Sequence, residues 1–153
     1  MTENSISELT QKIKSMGPWH HDIHLFDDFT TGKVFSPDGK LDRSDNDGVS
    51  LISPRGRYLR QLDEIYPEGM AGKSFLDCAC NGGGYCLWTR ERGRERGVGF
   101  DVRQHWIQQA KLVQQYRTVF PTDRLEFEVM DLYDVAKQNH KPFDMTYFSG
   151  IFY

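Results

Sequence analysis

Phe75-Leu-Asp-Cys-Ala-Cys-Asn-Gly-Gly-Gly84 decides the reading of this chain. An apolar run closes on Asp77 and passes at once into small residues at Ala79, Gly82, Gly83 and Gly84. That is the pattern of a strand turning tightly into a helix, where the backbone can approach a ligand and adopt left-handed dihedrals. Outward from it the pattern alternates. Ser74 to Cys80 reads as a strand, Gly84 to Arg92 as a helix, and Gly97 to Val102 as a strand. A helix from Gln104 to Arg117, a strand from Leu125 to Met130, a short helix from Leu132 to Gln138 and a strand from Phe143 to Phe148 follow. Such alternation predicts an α/β fold with a parallel sheet and crossover helices.

Upstream, Ser5 to Met16 reads as a helix with Ser5 and Glu8 at capping-box spacing and Ile6, Leu9, Ile13 and Met16 on one face. Gly17-Pro18 stops it. The stretch from Phe26 to Ser50 is rich in turn residues, including Asp38-Gly39 and Asp47-Gly48, with a hairpin expected around Lys33-Val34-Phe35. Ser53-Pro54 then caps a helix whose apolar face is Tyr58, Leu59, Leu62, Ile65 and Tyr66, ending at Pro67. The run Arg90 to Arg96 mixes both signs at helical spacing and reads as a solvated face.

With 153 residues, 38% of them hydrophobic, the chain has mass for one domain with a real core. Nineteen basic against 22 acidic residues leave a net charge of -3, so no overall basic field exists and DNA is not an expected partner. No apolar run spans a bilayer and the first residues lack the features of a signal peptide, so no membrane association and a cytoplasmic setting are expected. Cys78, Cys80 and Cys86 cluster within nine residues, which fits a reducing compartment better than a disulfide framework. Their spacing lacks the second half of a zinc site, and Asp45-x-Asp47-Gly48 lacks the terminal Glu of a calcium loop, so no metal is expected.

Three acids mark the chemistry. Asp77 precedes the glycine turn, Asp101 stands 24 residues later near the end of the next strand, and Asp131 closes the third strand. Open parallel sheets bind ligands along this carboxyl edge, and an acid at the second strand accepts hydrogen bonds from ribose hydroxyls. A nicotinamide dinucleotide wants G-x-G-x-x-G, and a carboxylate at Asp77 would repel its pyrophosphate. Asp77 suits a ligand bearing an ammonium and a sulfonium, as S-adenosylmethionine does. An NAD(P)-binding oxidoreductase and a non-catalytic fragment stand as alternatives. His20, His21 and His24 suit a lid over the cofactor, a contact to substrate, or a general base. Trp88 and Trp106 read as core residues.

Asp-x-Ala-Cys-Asn-Gly-Gly-Gly from Asp77, Gly-Phe-Asp-Val-Arg-Gln-His-Trp-Ile-Gln-Gln-Ala from Gly99, Val-Met-Asp-Leu ending at Leu132, and Phe-Ser-Gly-Ile-Phe-Tyr153 resemble the successive motifs of class I S-adenosylmethionine-dependent methyltransferases. With Trp19-His20-His21 upstream, the chain most resembles the branch related to the tRNA wobble-uridine carboxymethyltransferase, although the Arg-Lys-Gly-Pro-Phe element of that branch is absent. The resemblance covers roughly residues 17–153. It implies a Rossmann-like class I methyltransferase sheet, its first four parallel strands present, with an N-terminal helical and loop extension. Residues 1–68 would form that extension, and residues 69–153 the cofactor-binding part.

The same resemblance implies a methyl transfer to a small-molecule or RNA acceptor, with tRNA modification the related activity. By it, Asp77, Ala79, Cys80, Asn81 and Gly83 attend the methionine end, Asp101 the ribose, Val102 the adenine face, and Asp131 with Leu132 the adenine edge. Ser149 joins the cofactor set, while Trp19 and His21 are candidates for substrate contact. Ala79 stands where the motif usually has glycine, which ordinary dihedrals would permit. No catalytic residue is assigned. The apolar ending at Tyr153 suggests the N-terminal part of a longer protein and a fourth strand exposed to self-association.

Overall fold

A computed structural model describes residues 2–36 and 54–149. The expected turns at Asp38-Gly39 and Asp47-Gly48, the Ser53 cap and residues 150–153 lie outside the described residues. In chain order the elements are α1 (Glu3–Ser15), β1 (His24–Phe26), β2 (Phe29–Thr30), α2 (Arg55–Ile65), β3 (Ser74–Cys78) and α3 (Gly84–Thr89), then β4 (Arg96–Asp101), α4 (Gln104–Tyr116), β5 (Leu125–Val129) and β6 (Met145–Phe148). Single turns of 3-10 helix lie at Gly32–Val34 and Arg90–Arg92, and a longer one at Leu132–Lys137.

Four strands form the expected parallel sheet in the order β5-β4-β3-β6. The pleat sends alternate side chains to opposite faces. Leu76 and Cys78 of β3 join Val98, Phe100 and Met130 in a small cluster covered by Leu132, Val135 and Phe143. On the other face, Phe75 and Phe127 pack into a larger cluster with α1, α2, α3, α4 and the 19–34 segment. Gly97 and Gly99 make this second packing possible. A methyl at Gly97 would lie 2.8 Å from the Arg94 guanidinium carbon, and one at Gly99 would meet Cys86, Phe127 and Cys80 at 2.9 to 3.0 Å.

The N-terminal segment is sealed into this core. Leu9, Ile13 and Trp19 are buried, the Trp19 indole donates to Ile13 O at 2.8 Å, and Gln109 of α4 donates to Met16 O and Pro18 O at 2.6 and 2.7 Å. Helix α1 begins earlier than its Ser5-Glu8 spacing suggests. Thr2 is the N-cap and accepts from Ser5 N at 3.2 Å, leaving Ser5 inside the first turn. The hairpin also sits elsewhere. It turns at Asp27-Asp28 between β1 and β2, where Asp27 adopts a left-handed φ of 41°, a conformation short polar side chains tolerate, and Lys33-Val34 lie in a 3-10 turn.

Two further expectations are corrected. Strand β3 stops at Cys78 rather than Cys80, because Ala79 turns left-handed at φ 59° and breaks the ladder. That dihedral is not an ordinary one, so the Ala79 methyl carries a strain of about 1–2 kcal/mol that glycine would escape. Nor is the run from Arg90 to Arg96 a solvated face. Arg94 is fully buried, and the Glu91 carboxylate, only 3% exposed, joins the unexposed Arg117 guanidinium at 2.8 Å and also pairs with Arg55. A helical wheel cannot register this, since the partners come from α2 and from the end of α4.

Candidate functional site

Asp77 pairs in register with Gly99, which places Asp101 one pleat further along the same face, at the carboxyl end of the neighbouring strand. Between the two acids the chain makes its turn through Ala79 (φ 59°), Asn81 (φ 49°) and Gly83 (φ 79°). Gly83 admits no side chain, because a Cβ there would lie 2.5 Å from the Phe127 ring. A cavity of about 310 Å³ opens above this turn, lined by His20, His21, Asp77, Ala79, Asn81, Tyr85, Arg103, Trp106 and Ser149.

Asp77 forms part of the cavity floor and is 1% exposed. Burial pushes its carboxyl well above the ordinary range, with the Asp101 charge adding to the rise, and its hydrogen bond comes from the Cys86 thiol at 3.8 Å. A neutral thiol offsets little of the cost of burying a carboxylate, so a cation entering the cavity meets a group with much to gain.

Asp101, equally buried, is richly bonded. Arg103 donates to Oδ1 from its backbone N at 3.0 Å and from Nε at 2.9 Å, and to Oδ2 from Nη2 at 3.1 Å. Asn81 N donates to Oδ2 at 3.3 Å, and Arg103 Nη2 also reaches Asn81 Oδ1 at 3.1 Å. The guanidinium, half exposed, lies 5.3 Å from the centre of the Trp106 ring.

His21 forms one wall. Its ring packs edge-on against Tyr85 and Trp88, its Nδ1 is buried without a hydrogen-bond partner, and burial next to His20 brings its pKa down to about 3. The imidazole is therefore neutral at physiological pH. A pKa that low makes it a weak base and leaves it the role of orienting a bound group.

Of the residues singled out from sequence, the cavity thus brings together His20, His21, Asp77, Ala79, Asn81 and Ser149, with Asp101 directly beneath Asn81 and Arg103. Gly83 and Cys80 shape the turn from beneath, where Gly83 meets Phe127 and Cys80 N donates to Phe100 O at 2.8 Å. Val102 is exposed, Asp131 caps the following 3-10 helix by accepting from Tyr133 N at 2.9 Å, and Leu132 leans on the small cluster. None of these three lines the cavity. Trp19 does not line it either and is wholly buried in the core. His24 lies in β1 and also stays outside.

Tyr85, Arg103 and Trp106 line the cavity without having been assigned to it from sequence. Trp106 fills both roles, only 9% exposed yet facing the ligand space. Arg103 carried a sequence signal, since an arginine two residues after a strand-ending acid can fold back on it across the turn.

No protein-family model matches the chain, and no curated protein matches it. Solved structures do. EvdMO1 superimposes with a TM-score of 0.58 at 16% identity, over 92% of this chain and 27% of that one. The bifunctional kinase-methyltransferase WbdD gives 0.57 at 18% identity, over 90% of this chain and 27% of that one. The N-terminal domain of EvdMO1 with SAH bound gives 0.53 at 14% identity, over 87% of this chain and 48% of that one. The chain thus spans about a quarter to a half of the length of these structures. Among the described residues no helix is long and apolar enough to cross a membrane. In its strand order, its parallel ladder and its glycine turn, the chain has the Rossmann-like fold seen in methyltransferases.

Proposed function

We propose that this chain binds S-adenosylmethionine and serves methyl transfer to a small-molecule or RNA acceptor. The observation that carries this reading is the pairing of two buried acids, Asp77 and Asp101, on one face of adjacent strands around a left-handed turn. The donor set fits the cofactor. Asp77 offers a desolvated carboxylate to a ligand that brings positive charge, and Asp101 offers two acceptor oxygens to a pair of hydroxyls. When bound, the cofactor supplies an electrophilic methyl group on a sulfonium, open to in-line displacement.

The chain's own part is positioning and exclusion of water. Residues 69–153 provide the cofactor seat, and the motif resemblance assigns Val102, Asp131 and Leu132, which lie outside the cavity, to the adenine. Residues 1–68 provide His20 and His21, which wall the cavity against solvent. The likeness of the motifs to the tRNA wobble-uridine branch supports the cofactor class, and the acceptor is a small molecule or an RNA. An NAD(P) dehydrogenase is disfavoured by Asp77, whose charge would face a pyrophosphate.

Calorimetric titration with S-adenosylhomocysteine and with NAD tests the reading. The chain is expected to bind the former and not the latter, and Asp101→Ala to lose about 1–3 kcal/mol of that binding. Binding of NAD alone would reverse the assignment.

A further inference from the structure

Resting on the cofactor reading above, we infer that Arg103 is an exchangeable occupant of the ribose seat at Asp101 and, once displaced, the cation that receives an anionic group of the acceptor. The geometry begins with competition. The Nε and Nη2 donors of Arg103 take one oxygen each of Asp101, at 2.9 and 3.1 Å. Those are the acceptor sites two ribose hydroxyls would use, whereas the backbone donors of Arg103 and Asn81 approach at 3.0 and 3.3 Å and can remain. A nucleoside therefore seats itself by exchanging its hydroxyls for the guanidinium.

Arg103 is suited to such an exchange. Its side chain is 57% exposed, so rehydrating it is cheap, and the Trp106 ring 5.3 Å away gives it a second resting place. Charge accounting then points to the acceptor. Among the described residues the cavity is lined by one acid, Asp77, which the cofactor's own positive charge would match, while the ribose would occupy Asp101. A displaced Arg103 is left beside His20 and His21 as a cation for which, among the described residues, the cavity lining offers no carboxylate other than the Asp77 that faces the cofactor. A guanidinium in that setting fits a phosphate or carboxylate through its planar fork. The acceptor class is accordingly an anionic molecule, bound after the cofactor.

The experiment compares wild type, Arg103→Met and Arg103→Lys, each checked for folding by circular dichroism. S-adenosylhomocysteine is titrated first and inorganic phosphate second, with and without saturating S-adenosylhomocysteine. Removing the competitor should tighten S-adenosylhomocysteine by about fivefold in Arg103→Met, the worth of a partly exposed ion pair. Arg103→Lys, which keeps the charge without the fork, should fall between. Phosphate should bind the loaded wild type more tightly than the unloaded one, and this gain should vanish in Arg103→Met. Equal or weaker S-adenosylhomocysteine binding by a folded Arg103→Met overturns the exchange while leaving the cofactor reading intact. A phosphate affinity indifferent to loading or to Arg103 overturns the acceptor assignment. Folded proteins that all fail to bind S-adenosylhomocysteine overturn the cofactor reading and the inference together.

Discussion

A methyl group on Gly84 would lie 2.7 Å from Nδ1 of His21, which ties the glycine turn of the sheet to a histidine more than sixty residues earlier in the chain. The first residue of α3 is glycine because another segment's ring occupies the space a side chain would need. The N-terminal segment therefore does more than cover the core, since it completes a cavity wall.

Gly84→Ala tests that tie. The His21 ring is held by Tyr85 and Trp88 and cannot retreat freely, so the substitution should cost about 1–3 kcal/mol by overpacking. It should also weaken S-adenosylhomocysteine binding. Urea denaturation and calorimetry measure the two effects, and an unchanged unfolding midpoint would show that the ring moves aside easily.

Asp77 sets function against stability. Its carboxyl is held above the ordinary range in the folded chain, so the stability it contributes is present below the usual pKa of 3.8 and is lost as pH rises through the raised value. Asp77→Asn, which cannot ionise, should raise Tm at neutral pH, by about 2–4 °C for each kcal/mol relieved. It should at the same time weaken S-adenosylmethionine on the order of tenfold more than S-adenosylhomocysteine, whose sulfur is a neutral thioether. A lower Tm together with an unchanged affinity ratio would remove Asp77 from the cation seat.

His21 gives the opposite pH signature. Its pKa falls from 6.5 to about 3 on folding, so the unfolded chain takes up a proton first and stability drops as pH falls below 6.5. From pH 6.5 to pH 5 the loss from this one group is about 2 kcal/mol. His21→Gln should flatten that part of the profile in urea denaturation, whatever its effect at neutral pH. A profile of identical slope would mean that the ring is hydrated in the folded protein.

At the sheet edge, β6 pairs with β3 on one side, and among the described residues no strand covers the other. Met145 and Tyr147 are half-buried while Thr146 and Phe148 are exposed, Phe148 by 46%. An uncovered strand with an apolar face is a template for pairing. Static light scattering should detect self-association of this chain that rises with concentration, and Thr146→Lys should suppress it. A chain that stays monomeric at every concentration would show that this edge does not pair.

Period and motif were enough to read the parallel order of strands and helices from Ser74 onward, because alternating apolar runs bounded by glycine turns admit few other arrangements. Asp77 and Asp101 were legible for the same reason, as Asp101 ends its strand, Asp77 stands one residue before the end of its own, and strand ends share one edge. Tertiary structure alone decided the rest of the site. That Tyr85 and Trp106 turn toward the ligand space, and that His21 meets Gly84, depends on which side chains three separate segments bring within a few ångströms. No periodicity within one segment encodes that. The same limit explains Glu91 and Arg94, whose charges look solvated along a helix and lie buried in the fold because α2, α4 and Gly97 close over them. Local sequence sets the dihedrals and faces of each element, and the environment of a charge is set only when the elements pack.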